Sequence, residues 1–406
     1  MAYLPLANIL HYKLRSLLSS FGIGVSVCMI VVLSGLSRGS LNEVADRWES
    51  VNADLIAYPK GAGNNVPTLA SGLLHDGART ELTQHTDLVQ SSVPVFLWRV
   101  RIGGKDNMTA GIDPDDWAAF TNGKRPVEGH VPDEHGKFTA WLEQTLLTGG
   151  EEGDEASTRP PLEITEQMIA QHGGMEIMID QRLADALGLK LNQTIEMEGH
   201  TWTIVGIAPS GVMTRVFMPR RTAQFFFGSQ RLEYSTMQFV KLRDGVDVHQ
   251  AIGRLENDQA DLMPVRQYRG QLEQTYGMMF TYVTVVNTLG LVISSLFIMV
   301  TLYMMVLQRT REIAILKSCG ASRAFIVRQV LAESLLLSVL GIAMGLGLSL
   351  PVAKAIGVLA PLLTVVITWQ WVATAVAAAL AGAIFSALYP AWRATRIDMV
   401  TALSLE

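Results

Sequence analysis

The chain has 406 residues, 49% of them hydrophobic and 17% charged, with a net charge of −5 and a positive mean hydropathy of +0.27. That length suffices for a membrane part plus one or two folded domains, and nothing in the composition suggests a nucleic-acid partner. Two cysteines, Cys28 in an apolar run and Cys319 in a basic one, exclude a disulfide framework.

The charge is unevenly placed. Residues 39–275 hold 21 Lys and Arg against 33 Asp and Glu, whereas the remainder holds 11 against 4. An acidic block inside a basic scaffold fits an external domain inserted into a membrane part whose ends face the cytoplasm.

In chain order, Pro5–Ser19 spaces Leu6, Ile9, Leu10, Leu14 and Leu17 as an interfacial helix would, with Lys13 and Arg15 among them. Leu17–Leu36 is apolar over about 20 residues and predicts a retained first span, with Gly22, Gly24, Ser26 and Gly35 small enough to admit another helix. A cleaved signal peptide fits less well, because the run is long and lacks a small-x-small cleavage site. From Gly39 the chain turns polar. Ala53–Tyr58, Val93–Ile102, Glu176–Asp180, Phe217–Pro219 and Thr236–Leu242 read as strands. Gln181–Lys190 reads as a short helix, residues 194–207 as a hairpin and Val248–Asn257 as a further helix, so an α+β domain is expected. Asn122–Gln171 reads as an insertion around the acidic, Gly/Pro-rich residues 149–161.

Phe280–Leu307 predicts the second span and Leu331–Leu350 the third, with Gly341, Gly345 and Gly347 as its small-residue face. Pro351–Thr368 reads as an external turn and Trp371–Tyr389 as the fourth span, followed by a basic tail from Pro390. The fold class is therefore α-helical membrane protein with four spans and a large external α+β domain between the first and second. The domain boundaries fall at 1–38, 39–275 and 276–406.

Between the second and third spans lies a short basic stretch, broken once. Thr310 can cap a helix carrying Ile313, Ile315 and Leu316; Gly320 supplies a left-handed stop; Ser322 can cap the next helix. Arg309, Arg311, Lys317, Arg323 and Arg328 crowd it, against Glu312. Basic residues at this density mark a cytoplasmic loop, and the apolar side of the helix suits docking to a partner. Glu333, two residues into the third apolar run, calls for a polar neighbour, Arg328 or Arg309, unless it snorkels to the interface.

The run RTREIAILKSCGAS (Arg309–Ser322), followed by AES (Ala332–Ser334), resembles the coupling-helix signature of the FtsX-like/MacB-like permeases of ABC systems. The strand, helix and hairpin of residues 176–207 are similar to their small external subdomain. The resemblance implies a permease dimer, homomeric or heteromeric, with two copies of a cytoplasmic ABC ATPase that binds ATP and Mg²⁺, and leaves a periplasmic adaptor open. It assigns ATPase coupling to Arg311, Glu312, Ile313, Ile315, Leu316, Lys317, Gly320 and Ser322, with Glu333 and Arg328 as support. It also implies a multi-pass protein of the bacterial inner membrane with both termini cytoplasmic.

No catalytic or nucleotide site is legible. There is no GxxxxGK[ST] run, and Gly103-Gly104-Lys105 has the wrong spacing. The histidines are scattered, and Glu151, Glu152, Asp154 and Glu155 lack the spacing of a cation loop, so neither a metal nor a cofactor is expected in this chain. Met29 and Met299 are candidates to line a path for bulky apolar cargo. The reading is an ABC permease subunit for extrusion of a hydrophobic or amphiphilic substrate; the alternative is a mechanotransmitter that activates a wall hydrolase or signals a ligand.

Overall fold

The computed structural model describes residues 13–62, 72–148, 164–228, 232–256 and 258–397. It divides into a membrane unit, Met1–Ser40 with Gly277–Glu406, and an inserted unit, Leu41–Tyr276. The helices of the membrane unit are α1 (Lys13–Glu49), α2 (Gly277–Gln308), the short α3 (Thr310–Ser318), α4 (Arg323–Leu359) and α5 (Trp369–Thr395). All but α3 are long and apolar enough to cross a membrane. Most of the expected interfacial helix lies outside the described residues, and Lys13–Ser19 is the start of α1.

The long helices outrun the predicted spans. α1 does not stop at the polar turn near Gly39, because Leu41, Ala45 and Trp48 continue an apolar stripe at helical spacing and all three are buried. Trp48 stacks on Tyr268 at 3.9 Å. α4 passes through Pro351 to Leu359, where the sequence suggested a turn, and α5 passes through Pro390 to Thr395. A proline removes one intrahelical bond, whereas ending a helix leaves about four carbonyls without partners, the costlier outcome in apolar surroundings.

Small residues set the packing of the membrane unit. A Cβ on Gly345 would lie 2.5 Å from Gly24 O, and one on Gly341 would lie 2.6 Å from Ile23 Cβ, so α1 and α4 meet backbone to backbone. Gly22 and Gly347 meet nothing within 4 Å and do not share this role. Each stands two residues from a packing glycine, about 200° around its helix. Gly35 seats a loop and not a helix: Val366 N–H donates to Gly35 O at 3.2 Å, and a Cβ on Gly39 would meet Thr364 O at 2.5 Å. Hydroxyls join the helices: Ser19 and Thr301 share a hydrogen bond of 2.6 Å, Ser20 Oγ donates to Leu337 O at 3.2 Å, and Ser334 Oγ donates to Ala383 O at 2.7 Å.

In the inserted unit, β1 (Leu55–Pro59) and β2 (Leu74–His75) precede the long hairpin of β3 (Val89–Ile102) and β4 (Lys105–Ile112). Then follow β5 (Glu128–Gly129), β6 (Glu176–Asp180), β7 (Thr194–Met197), β8 (His200–Ala208), β9 (Val216–Pro219), β10 (Tyr234–Ser235), β11 (Met237–Leu242) and β12 (Ala260–Pro264). The main sheet runs β12-β1-β11-β3-β4-β9-β6-β8-β5, with β7 paired to β8; β4–β9 and β6–β8 are parallel. β4 (KDNMTAGI) escaped the sequence reading because it is short of large apolar residues. Its signal was the two-glycine turn Gly103-Gly104, with φ of +57° and +73°. Part of the expected insertion belongs to this sheet: β5 pairs with β8, and Phe138 and Leu142 are fully buried. Residues 149–161 lie outside the described residues.

The end of α1 is held in the inserted unit by charges. Arg47 Nη2 donates to the fully buried Asp180 at 2.8 Å, while Glu43 accepts from Arg47 (3.2 Å), Arg182 (2.9 Å) and Arg215 (3.0 Å). Burial, and then the nearby Arg47 charge, lowers the affinity of the Arg215 guanidinium for its proton.

The glycine contact predicts an asymmetry. Gly345→Ala should lower the stability of the purified chain by about 1–3 kcal/mol, and Gly347→Ala should stay within about 0.5 kcal/mol of wild type. Unfolding followed by circular dichroism in detergent reads both; equal losses would refute the close α1–α4 contact.

Candidate coupling site

α3 begins one residue after α2 ends. Arg309 holds the N-cap position with φ −112° and ψ 21°, and no side chain caps the helix. Thr310 does not act as the cap, because it is already the first helical residue. The far end follows the expected stop. Gly320 has φ +91°, its N–H donates to Lys317 O at 3.0 Å, and Ala321 N–H donates to Leu316 O at 3.0 Å. Ser322 Oγ then accepts from Phe325 N–H at 3.2 Å and starts α4.

One side of α3 faces inward. Ala314 is fully buried, Ile313 packs against the core of the membrane unit, and Leu316 borders a cavity of about 50 Å³ shared with Arg309, Gln329 and Glu333. Arg309 Nη1 donates to Glu333 Oε1 at 3.2 Å, with the Glu333 side chain buried and that of Arg309 11% exposed, which ties the α2–α3 junction to α4. Lys317 Nζ donates to Thr395 O, in the last residue of α5, at 3.2 Å and to Ile397 O, two residues beyond it, at 2.7 Å, placing a cation at the C-terminal end of that helix. Nothing in the sequence pattern had singled out that contact.

The opposite side is open. Arg311, Glu312, Ser318 and Cys319 are exposed, and Ile315 is 48% exposed. The sequence-predicted set therefore divides in three. Arg311, Glu312 and Ile315 point outward, with Glu312 also at the edge of the small cavity. Ile313, Leu316 and Lys317 anchor the helix, and Gly320 and Ser322 shape the turn. Of the two partners open to Glu333, the structure places Arg309 there. Arg328 is exposed on α4, five residues and about 140° away from Glu333 around the helix.

Met29 and Met299 are half-buried. The Met29 methyl fills the notch left by Gly290 on α2. Neither methionine borders the cavity of about 210 Å³ between α1, α2 and α5. Among the described residues, no three His, Cys, Asp or Glu side chains gather closely enough to hold a metal ion.

Residues 16–258 match the MacB-like periplasmic core domain, and residues 284–399 match the FtsX-like permease C-terminal family. This chain belongs to the FtsX-like/MacB-like permeases. It is a multi-pass inner-membrane protein with an α+β periplasmic core domain between its first and second spans. The permease is 26% identical over 419 residues to the pyoverdine export ATP-binding/permease protein PvdT of Pseudomonas syringae pv. tomato, a match over 97% of this chain and 58% of the relative. It is 29% identical over 413 residues to the macrolide export ATP-binding/permease protein MacB of Escherichia coli, over 97% of this chain and 59% of the relative. The permease thus spans somewhat more than half the length of these relatives. Among solved structures, the periplasmic region of MacB from Actinobacillus actinomycetemcomitans aligns with a TM-score of 0.37 at 12% identity, covering 55% of this chain and 95% of that one.

The ion pair at the foot of α4 has a testable consequence. Glu333→Leu leaves the Arg309 guanidinium buried without its anion and should destabilise the chain by about 3–5 kcal/mol. The double variant Arg309→Leu with Glu333→Leu should recover much of that loss. A double-mutant cycle on unfolding in detergent measures the coupling, and additive losses would show that the two side chains do not interact.

Proposed function

We propose that this permease transmits force between an ABC ATPase and its inserted periplasmic domain, and that the open side of α3 is where the ATPase docks. The observation that carries the reading is the division of α3 into two sides. One is tied to α4 through Glu333 and to α5 through Lys317, and the other presents Arg311, Glu312 and Ile315 without covering. A helix held in this way moves with the spans it is tied to, so a push on its open side reaches them directly.

ATP is hydrolysed outside these 406 residues, which hold no GxxxxGK[ST] run; in this reading the ATPase is a separate chain present in two copies. ATP and Mg²⁺ bind there. The permease works as a dimer, and the exposed apolar residues of α2, among them Leu289, Ile293, Leu296 and Phe297, suit either lipid or a second copy. The work done is extrusion of a hydrophobic or amphiphilic molecule; relatives named for export of pyoverdine and of macrolides support that class. α3 and the end of α5 lie in the cytoplasm, in keeping with their basic residues.

Two experiments test this. Burying an aliphatic side chain contributes about 1.5–3 kcal/mol, so Ile315→Asp should weaken capture of the ATPase at least about tenfold while the chain stays inserted and folded. Wild-type capture and wild-type cargo-stimulated hydrolysis with Ile315→Asp would end the docking proposal. Leu316→Asp should act differently, by unseating α3 and lowering stability. For orientation, cysteines placed singly at Glu151 and Asp244, with Cys28 and Cys319 replaced, should react with an impermeant thiol reagent in outer-membrane-permeabilised cells. Cysteines at Gln308 and Thr395 should not, and equal labelling would reverse the assignment.

A further inference from the structure

A ladder of rings runs along one face of the membrane unit to the end of α5. Between ring centroids, Tyr303 of α2 lies 5.9 Å from Tyr389 of α5, and Tyr389 lies 6.3 Å from Trp392. The Arg396 guanidinium covers the Trp392 ring at 4.1 Å, and Arg393, about one turn back, is exposed beside it. We propose that this face holds the headgroup of a phospholipid with net negative charge, such as phosphatidylglycerol.

Depth, charge and rigidity point there. Exposed tryptophans mark both ends of α5, Trp369 at its first residue and Trp392, 47% exposed, in its last turn. At 1.5 Å per residue they stand about 34 Å apart along the helix, slightly more than the roughly 30 Å of hydrocarbon in a bilayer. Trp392 therefore sits at headgroup level, where indoles are enriched. Phe385, 72% exposed, precedes it on the same face, at the depth of the acyl chains.

Among the described residues neither Arg393 nor Arg396 pairs with a carboxylate. The acids of the membrane unit among those residues are Glu312 and Glu333, and Arg309 already holds Glu333. A second membrane unit would thus meet these arginines with another basic surface. A choline or ethanolamine headgroup would bring a cation of its own beside two others. A net-anionic headgroup brings phosphate oxygens that accept from the guanidiniums and no cation. The backbone beneath is already fixed. Arg396 N–H donates to Arg393 O at 3.1 Å, and Lys317 holds the carbonyls of Thr395 and Ile397 on either side of Arg396. Little ordering is left for binding to cost.

The test titrates the purified full chain in detergent with phosphatidylglycerol or phosphatidylcholine of matched acyl chains, and counts bound lipid by native mass spectrometry. Wild type should retain phosphatidylglycerol over phosphatidylcholine by about tenfold, the effect of one charge-assisted hydrogen bond. Arg393→Gln with Arg396→Gln should bring that ratio close to one. Arg323→Gln with Arg328→Gln removes two exposed arginines from α4 and should leave the ratio unchanged. Equal retention of the two lipids by wild type overturns the proposal and needs no variant to fold. An unchanged ratio in the α5 variant overturns it too, since the lipid then binds elsewhere; a change of oligomeric mass in that variant would mark the face as a contact between copies. Equal losses in the α4 and α5 variants overturn it in favour of diffuse surface charge. Release of phosphatidylglycerol by inorganic phosphate alone would also overturn it, because the face would then be a simple anion site.

Discussion

A charge pair at the foot of α4 decides how α3 is held against the spans beside it. Glu333 sits in a helix that is otherwise apolar for several turns, and a lone carboxylate there would be expensive. Arg309, the single residue between α2 and α3, answers it at 3.2 Å. The same contact that neutralises Glu333 therefore ties the junction of α2 and α3 to α4. Lys317 closes the arrangement on the far side by bonding to the carbonyls of Thr395 and Ile397 at the end of α5. With both ends anchored, α3 leaves one side open, at Arg311, Glu312 and Ile315.

The membrane unit behind that foot is joined by close approach more than by bulk. Lipid is as apolar as leucine, so packing among spans gains from small residues and from hydroxyl–carbonyl bonds. The α1–α4 contact at Gly24, Gly341 and Gly345 is of the first kind, and Ser20, Ser26 and Ser334 donating to backbone carbonyls are of the second. The inserted unit uses other means. There the end of α1 is secured by Arg47 on the buried Asp180 and by Glu43 among three arginines, contacts that depend on the lower polarity of a protein interior. α1 is thus one helix whose two ends obey different packing rules.

Much of this was legible beforehand, and the exceptions have specific causes. The strands at 93–102, 176–180 and 237–242 stood out because they are rich in β-branched and aromatic residues. β4 did not, since its fit depends on pairing with β3 and β9 and not on its own side chains. Span boundaries failed in one direction: α1, α4 and α5 all continue past the point where polarity or proline suggested an end. Hydropathy reports where lipid begins and ends, whereas a helix ends where its backbone groups find other partners. At the coupling site the Gly320 stop and the Ser322 cap follow from local chemistry and were legible. Which of Ile313, Ile315 and Leu316 faces outward was not.

The sequence by itself determined the four spans, the acidic domain between the first two, the basic helix between the second and third, and the family. Those properties reside in composition, periodicity and short motifs, which are local. Only the tertiary structure decided that Arg309 and not Arg328 meets Glu333, that Lys317 bonds to the carbonyls at the end of α5, that Gly345 packs while Gly347 does not, and that Asn287 and Arg38 share a cavity. Each of these depends on a rotation of one helix against another. A helical sequence specifies its own faces but not which neighbour each face will meet.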